Sequence, residues 1–236
     1  MSVEFSVLAG TAVSIGFIHT LLGPDHYIPF IALAKARRWS SFKTSLITLV
    51  CGLGHVLSSI FLGLIGIAAG TAIFKLESVE SFRGELAAWL LIAFGFTYFV
   101  WGIHRAVRNK PHTHTHIHED GDAHNHSHSH SGEHSHIHDS NSSNLTPWVL
   151  FIVFILGPCE PLIPLVMYPA SKGSYLTVIT ISGIFALTTI ATMLVIVTAG
   201  YYGLVNIKVQ RFEKYMHALA GLTILLCGGA IKFLGL

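Results

Sequence analysis

Apolar residues fill six long stretches of this chain, and polar residues are pushed to the junctions and into one insert. The first stretch runs from Phe5 to about Ala34, the second from about Ser45 to Phe74, and the third from about Leu86 to His104. The pattern stops between residues 105 and 146, then resumes at Pro147–Ala170, Tyr175–Tyr202 and Met216–Leu236. A membrane-crossing helix needs roughly 20 mostly apolar residues, and each stretch is of that order or longer. Barrel strands would be shorter and would alternate in polarity. Only helices or closed barrels satisfy the backbone in lipid. The expected fold is therefore an all-α membrane protein with six transmembrane helices. Residues 1–104 form a first three-helix unit, 105–146 a loop, and 147–236 a second three-helix unit.

Two of the stretches are interrupted in the same way. The first contains Gly23-Pro24-Asp25-His26-Tyr27-Ile28-Pro29, and the fourth contains Gly157-Pro158-Cys159-Glu160-Pro161-Leu162-Ile163-Pro164. Three spans per half place the halves in opposite orientation. The pattern predicts two inverted three-helix repeats with broken first and fourth helices, an arrangement that in transporters surrounds the binding site.

Composition agrees with a membrane location. Only 11% of the 236 residues are charged, against roughly 25% in a soluble domain, too few to cover a water-facing surface. A net charge of +2 supplies no field for nucleic acid, so none is expected as a partner. Lys35, Arg37, Arg38, Lys43, Arg105, Arg108, Lys110, Lys208, Arg211 and Lys214 all fall on one side of the predicted spans. The positive-inside rule makes that side cytoplasmic. The N- and C-termini then lie outside the cytoplasmic membrane, and the loop lies in the cytosol. Met1 to Glu4 carries neither a basic n-region nor a cleavage site, so the first apolar stretch is expected to remain as an anchor.

The chemistry is concentrated in a few polar residues at membrane depth. His19, Asp25, His26, His55 and Glu160 sit inside apolar stretches, where a charge costs about 2.5–3.5 kcal/mol on insertion scales and usually marks a site or pathway. Imidazole, carboxylate and thiolate together suit borderline transition-metal ions, whereas Mg²⁺ and Ca²⁺ prefer oxygen alone. His19 and His26 are about two helical turns apart, so an unbroken helix would present both on one face. Pro24, Pro158 and Pro161 lack an amide hydrogen and free the carbonyls of Thr20, Phe154 and Gly157, which could ligate an ion. Gly52 and Gly54 precede His55 and let another helix approach. Glu160 reads as a ligand or proton-coupling carboxylate. Cys159 reads as a further ligand or as a small core residue. Cys51 and Cys227 read as packing residues, and His104 and His217 as interfacial. The three cysteines form no disulfide framework and no CxxC pair.

The loop holds His112, His114, His116, His118, His124, His126, His128, His130, His134, His136 and His138, interspersed with Thr, Ser, Asn and acidic residues. Such a tract cannot build a packed core. It is expected to be disordered and to bind metal ions with low specificity, less tightly as falling pH protonates the imidazoles.

At these residues the chain resembles a known family. His19–His26, HTLLGPDH, is similar to the His-plus-Asp-His signature of the nickel/cobalt transporter family, although that signature has four residues between the first His and the Asp-His pair and this chain has five. Gly52-Leu53-Gly54-His55 resembles the family's Leu-Gly-His motif. The six-span plan with a cytosolic His-rich loop resembles the nickel/cobalt efflux branch, and GPDHYIP and GPCEPLIP resemble the membrane domain of urease-accessory-type nickel transporters. The resemblance implies a secondary transporter of Ni²⁺ or Co²⁺, with Zn²⁺ also compatible. The ion would be bound near the bilayer midplane by His19, Asp25, His26 and His55, facing Glu160 and Cys159. The ion is the cargo, no organic cofactor is implied, and a cytosolic metallochaperone is a candidate partner. There is no GxxxxGK[ST] phosphate loop, so the chain is expected to be a carrier and not an ATP-hydrolysing enzyme.

Two other readings compete. Gly157-Pro158-Cys159 also resembles the transmembrane thiol-disulfide electron carriers of cytochrome c maturation. Those carry a reactive Cys in each half, and here Asp25 and His26 stand where the first would be. A non-transporting membrane metal sensor is the third reading.

Overall fold

The structure is a computed structural model that describes residues 3–70, 73–108, 112–117, 123–128, 145–205 and 210–235. Eight α-helices make up almost all of it: α1 (Val3–Leu22), α2 (Ile28–Ala36), α3 (Ser41–Ala68), α4 (Ile73–Arg108), α5 (Leu145–Leu156), α6 (Leu162–Ser171), α7 (Tyr175–Val205) and α8 (Met216–Leu234). Five segments are long and apolar enough to cross a membrane: Val3–Leu22, Ser41–Ala68, Lys75–Arg108, Tyr175–Leu204 and Glu213–Leu234. The chain is a multi-pass membrane protein whose apolar segments are all helical. Its outer surface is that of a bilayer-embedded molecule, with Leu187, Leu226, Val195 and Phe61 all exposed.

The apolar stretches break where the prolines fall. A 3-10 turn over Pro24–His26 separates α1 from α2. An irregular segment from Gly157 to Pro161 separates α5 from α6. In each case proline removes a helical donor and disfavours helical geometry in the residue before it. α5 and α6 have 12 and 10 residues. Each is too short to cross by itself, so the fourth apolar stretch is not one continuous helix. Inside the bundle, one core cluster gathers Phe30, Leu33, Cys51, Leu150, Phe154, Met193 and Ile224. A second gathers Ala12, Val56, Cys159, Leu162, Ile181 and Phe185.

The third element is longer than its apolar pattern indicates. The sequence puts its start near Leu86, yet α4 begins at Ile73. The intervening charges read as a loop when counted singly, but three of them, Glu80, Arg83 and Glu85, are paired in the fold. Glu80 pairs with Arg83 one turn on, and Glu85 accepts from Lys232 Nζ at 2.6 Å.

α4 packs along α8 through glycine. A Cβ at Gly95 would overlap the backbone of Leu225, one at Gly102 the backbone of Ala218, and one at Gly221 the backbone of Phe99. Lipid tails are as apolar as leucine, so membrane helices associate by such close packing and not by hydrophobic exclusion. Overpacking typically costs 1–3 kcal/mol, and here backbone is the obstacle, so Gly221→Leu is expected to lose about 3 kcal/mol. Unfolding by SDS in mixed micelles measures this loss. An unchanged midpoint would show that the seam can open.

At one end of the bundle Arg37 Nε donates to the Tyr98 hydroxyl at 3.3 Å, which is 2.8 Å from His217 Nδ1. Arg38 pairs with Glu213 at the same end. At the other end Lys172 Nζ donates to Glu4 Oε1 at 2.5 Å, and that bond holds the ammonium pKa above its usual value.

Within the loop expected to be disordered, the structure places two antiparallel strands, β1 (His112–Ile117) and β2 (Ala123–His128), with His112 opposite His128 and His116 opposite His124. The strict alternation of HTHTHI has the period of a strand. His118, His130, His134, His136 and His138 lie outside the described residues.

Candidate functional site

Three histidines from three elements meet inside the first half. His19 comes from the last turn of α1, His26 from the turn after it, and His55 from the middle of α3. Each offers a ring nitrogen, and the three nitrogens lie within 4.8 Å of one another. The ring centroids of His26 stand 4.9 Å from His19 and 5.0 Å from His55, with the planes near perpendicular. His26 and His55 are 2% and 1% exposed, which rules out hydration from the bulk.

The backbone around the two breaks shapes this cluster. A Cβ at Gly23 would come within 2.5 Å of His26 Nδ1, and one at Gly157 within 3.1 Å of His55 Nδ1. Both glycines therefore leave room for an imidazole. His26 Nδ1 lies 3.1 Å from the Gly23 carbonyl and 3.0 Å from Asp25 Oδ1. His55 Nδ1 lies 3.3 Å from the carbonyl of Phe154. Pro158 cannot donate to that carbonyl, which accepts from the Gly157 amide at 3.1 Å and has His55 as its second neighbour. The Phe154 ring covers the cluster, with centroids 6.5 Å from His26 and 6.1 Å from His55, and it leans on Phe30 at 4.8 Å. A cavity of about 30 Å³ adjoins the cluster, touching Asp25, His55 and Pro158.

The other sequence candidates are placed differently. Asp25 lies against His26 and orients its ring. Glu160 is exposed at the turn that starts α6 and stands outside the three-histidine group. Cys159 is fully buried in the second core cluster. The Gly157 carbonyl accepts a long bond from Arg83 Nη2 at 3.5 Å.

Arg83 and Glu80 are the residues at the second break that sequence reasoning missed. Arg83 Nη2 donates to Ser58 Oγ at 2.7 Å and to the Ile155 carbonyl at 2.6 Å, and its Nη1 pairs with Glu80. Glu80 is wholly buried, and its Oε2 accepts from the Cys159 amide at 3.1 Å. This pair clamps the break from both sides and fixes the backbone that carries the thiol. The only signal in the sequence was the i, i+3 spacing of opposite charges.

Comparison with known proteins settles the family. The sequence model of the cytochrome c biogenesis protein transmembrane region matches residues 28–230. No curated protein and no solved structure matches the chain. The family match overturns both the nickel/cobalt transporter resemblance and Ni²⁺ or Co²⁺ transport as the function. That resemblance rested on HTLLGPDH paired with Gly52-Leu53-Gly54-His55, and the first of these precedes the matched residues and departs from the transporter signature by one position. A Gly-Pro break with nearby histidines is local geometry that unrelated membrane helices can share, whereas the match spans elements from α2 to α8. The chain belongs to the family of cytochrome c biogenesis protein transmembrane regions.

Proposed function

We propose that the protein carries reducing equivalents across the cytoplasmic membrane by thiol-disulfide exchange at Cys159. The observation that carries this reading is the family match over residues 28–230, which contains Cys159 at the Gly157-Pro158 break. α5 and α6 would cross together as a sixth, broken span. The two halves would form inverted repeats, with the basic end of the bundle and the His-rich loop in the cytosol.

Cys159 is the sole cysteine at a helix break, so each partner must bring its own second sulfur. The Cys159 thiolate attacks a sulfur of one partner's disulfide, the S–S bond breaks, and the departing thiolate takes up the proton Cys159 gave up. A thiolate of a reduced partner on the other side then attacks the Cys159 sulfur and releases the first partner as a dithiol. The second thiol of the reduced partner closes its own disulfide and frees Cys159. Two electrons and two protons move, and Cys159 is unchanged. The hydrogen bond its backbone amide donates to Glu80 Oε2 holds the backbone that carries the sulfur, and its burial requires the α5–α6 break to open for each exchange.

The test uses proteoliposomes with reduced thioredoxin outside and an encapsulated fluorogenic disulfide. Cys159→Ser is expected to cut the rate of dye release at least 100-fold, to that of empty vesicles, while Cys51→Ser and Cys227→Ser keep it. Equal rates for Cys159→Ser and the parent chain would exclude this mechanism.

A further inference from the structure

We propose that His19, His26 and His55 together hold one resident first-row transition-metal ion, bound through their Nε2 atoms. The tautomers support this. His26 Nδ1 faces two acceptors, the Gly23 carbonyl and Asp25 Oδ1, so it carries the proton. His55 Nδ1 faces the Phe154 carbonyl, so it carries one too. In a neutral imidazole the remaining nitrogen is then an acceptor with a free lone pair. The Nε2 atoms of all three rings are shielded from solvent and have no hydrogen-bond partner among the described residues. Leaving such groups unpaired in an apolar interior costs free energy. The lone pairs of His26 and His55, beside the unpartnered Nε2 of His19, suit a cation among them.

The surroundings are those of a metal site. Metal-bound histidines characteristically donate their other ring N–H to a carboxylate or a backbone carbonyl, which fixes the ring and raises its basicity. Asp25 and the Gly23 carbonyl do this for His26, and the Phe154 carbonyl for His55. Asp25 also supplies a negative charge beside the ion. An ion about 2.0–2.1 Å from three tetrahedrally arranged nitrogens sets them roughly 3.4 Å apart, and one ring nitrogen of each histidine already lies within 4.8 Å of the others. The adjoining cavity can hold a water as the fourth ligand, since one needs only about 10–15 Å³ of such space. Three imidazoles without a thiolate suit Zn²⁺, Co²⁺ or Cu²⁺ and not Mg²⁺ or Ca²⁺. The ion is a fixture of the first half and stands apart from the chemistry of Cys159.

Co²⁺ is the probe, added to the full chain in nanodiscs and followed by its visible spectrum after a brief wash with chelator. One retained Co²⁺ per chain with intense four-coordinate bands is expected. Replacing all eleven loop histidines by serine should keep the bands, and so should Cys159→Ser, which separates this site from thiol exchange. His26→Ala and His55→Ala should abolish them, and Asp25→Asn should weaken binding about 10–100-fold. His55→Cys should restore a retained ion with a new near-ultraviolet thiolate band, which loss of folding could not produce. Absent bands in the folded parent chain, bands lost with the loop histidines, or bands untouched by His55→Ala would each overturn the proposal. A proton shared between the rings would give the first of these results.

Discussion

Replacing Arg83 with methionine is expected to destabilise the protein by about 3–5 kcal/mol, the cost of stranding a buried charge without its partner. Glu80 is wholly buried and its carboxylate has one charged neighbour in the ion pair, Arg83. Removing the guanidinium also deprives Ser58 and the Ile155 carbonyl of their donor. A second substitution separates these effects. Arg83→Met combined with Glu80→Met removes both charges, and apolar replacement of a complete buried pair is often neutral or stabilising. Here recovery should be partial, because the Cys159 amide and the Ile155 carbonyl stay unpaired. SDS titration of the parent, single and double variants gives the three midpoints. A single variant as stable as the parent would show that Glu80 reaches water or takes up a proton at little cost.

Phe154→Ala should have the other large effect. Phenylalanine-to-alanine changes in packed cores cost about 3–5 kcal/mol through lost contacts and the cavity left behind. Phe154 is 4% exposed and packs on Phe30, His26 and His55. The backbone carbonyl that accepts from His55 survives the substitution, so the histidines should keep their partners and lose only their cover. The expected result is a lowered unfolding midpoint together with faster hydrogen exchange at the amides of Val56 and Gly157. Loss of stability without faster exchange there would mean that the neighbouring side chains collapse into the space.

The helical membrane character of this chain was legible because length and apolarity are local properties. The breaks at Gly23-Pro24 and Gly157-Pro158 were legible for the same reason: proline acts on its own turn. His19 and His26 meet although the helix their spacing assumed is broken between them, and the glycines beside His55 make room for Met193 and Ile190 on α7 and for Phe151 and Ile155 on α5, so the meeting of the three rings was not legible from either signal. Glu80 and Arg83 escaped because their partners are contributed by distant elements, Ser58 on α3 and the backbone around Pro158. Counted without those partners they looked like a loop. Glu160 lies exposed at the turn into α6, outside the three-histidine group, a placement no run of hydropathy encodes. The transporter resemblance erred because short motifs and a six-span plan are features that different membrane families can share, whereas the family match extends over residues 28–230.

The glycine seam has a mechanical consequence. Where backbone touches backbone, one helix cannot slide past the other by a turn without driving a side chain through the contact, so α4 and α8 behave as a single beam. One side of that beam carries Glu80 and Arg83, which grip the break between α5 and α6. Its other helix lies against α2 and the Pro24–His26 turn. The two interruptions of the chain are thus fastened to the same rigid member. Any opening at one of them must pivot on a frame that also braces the other.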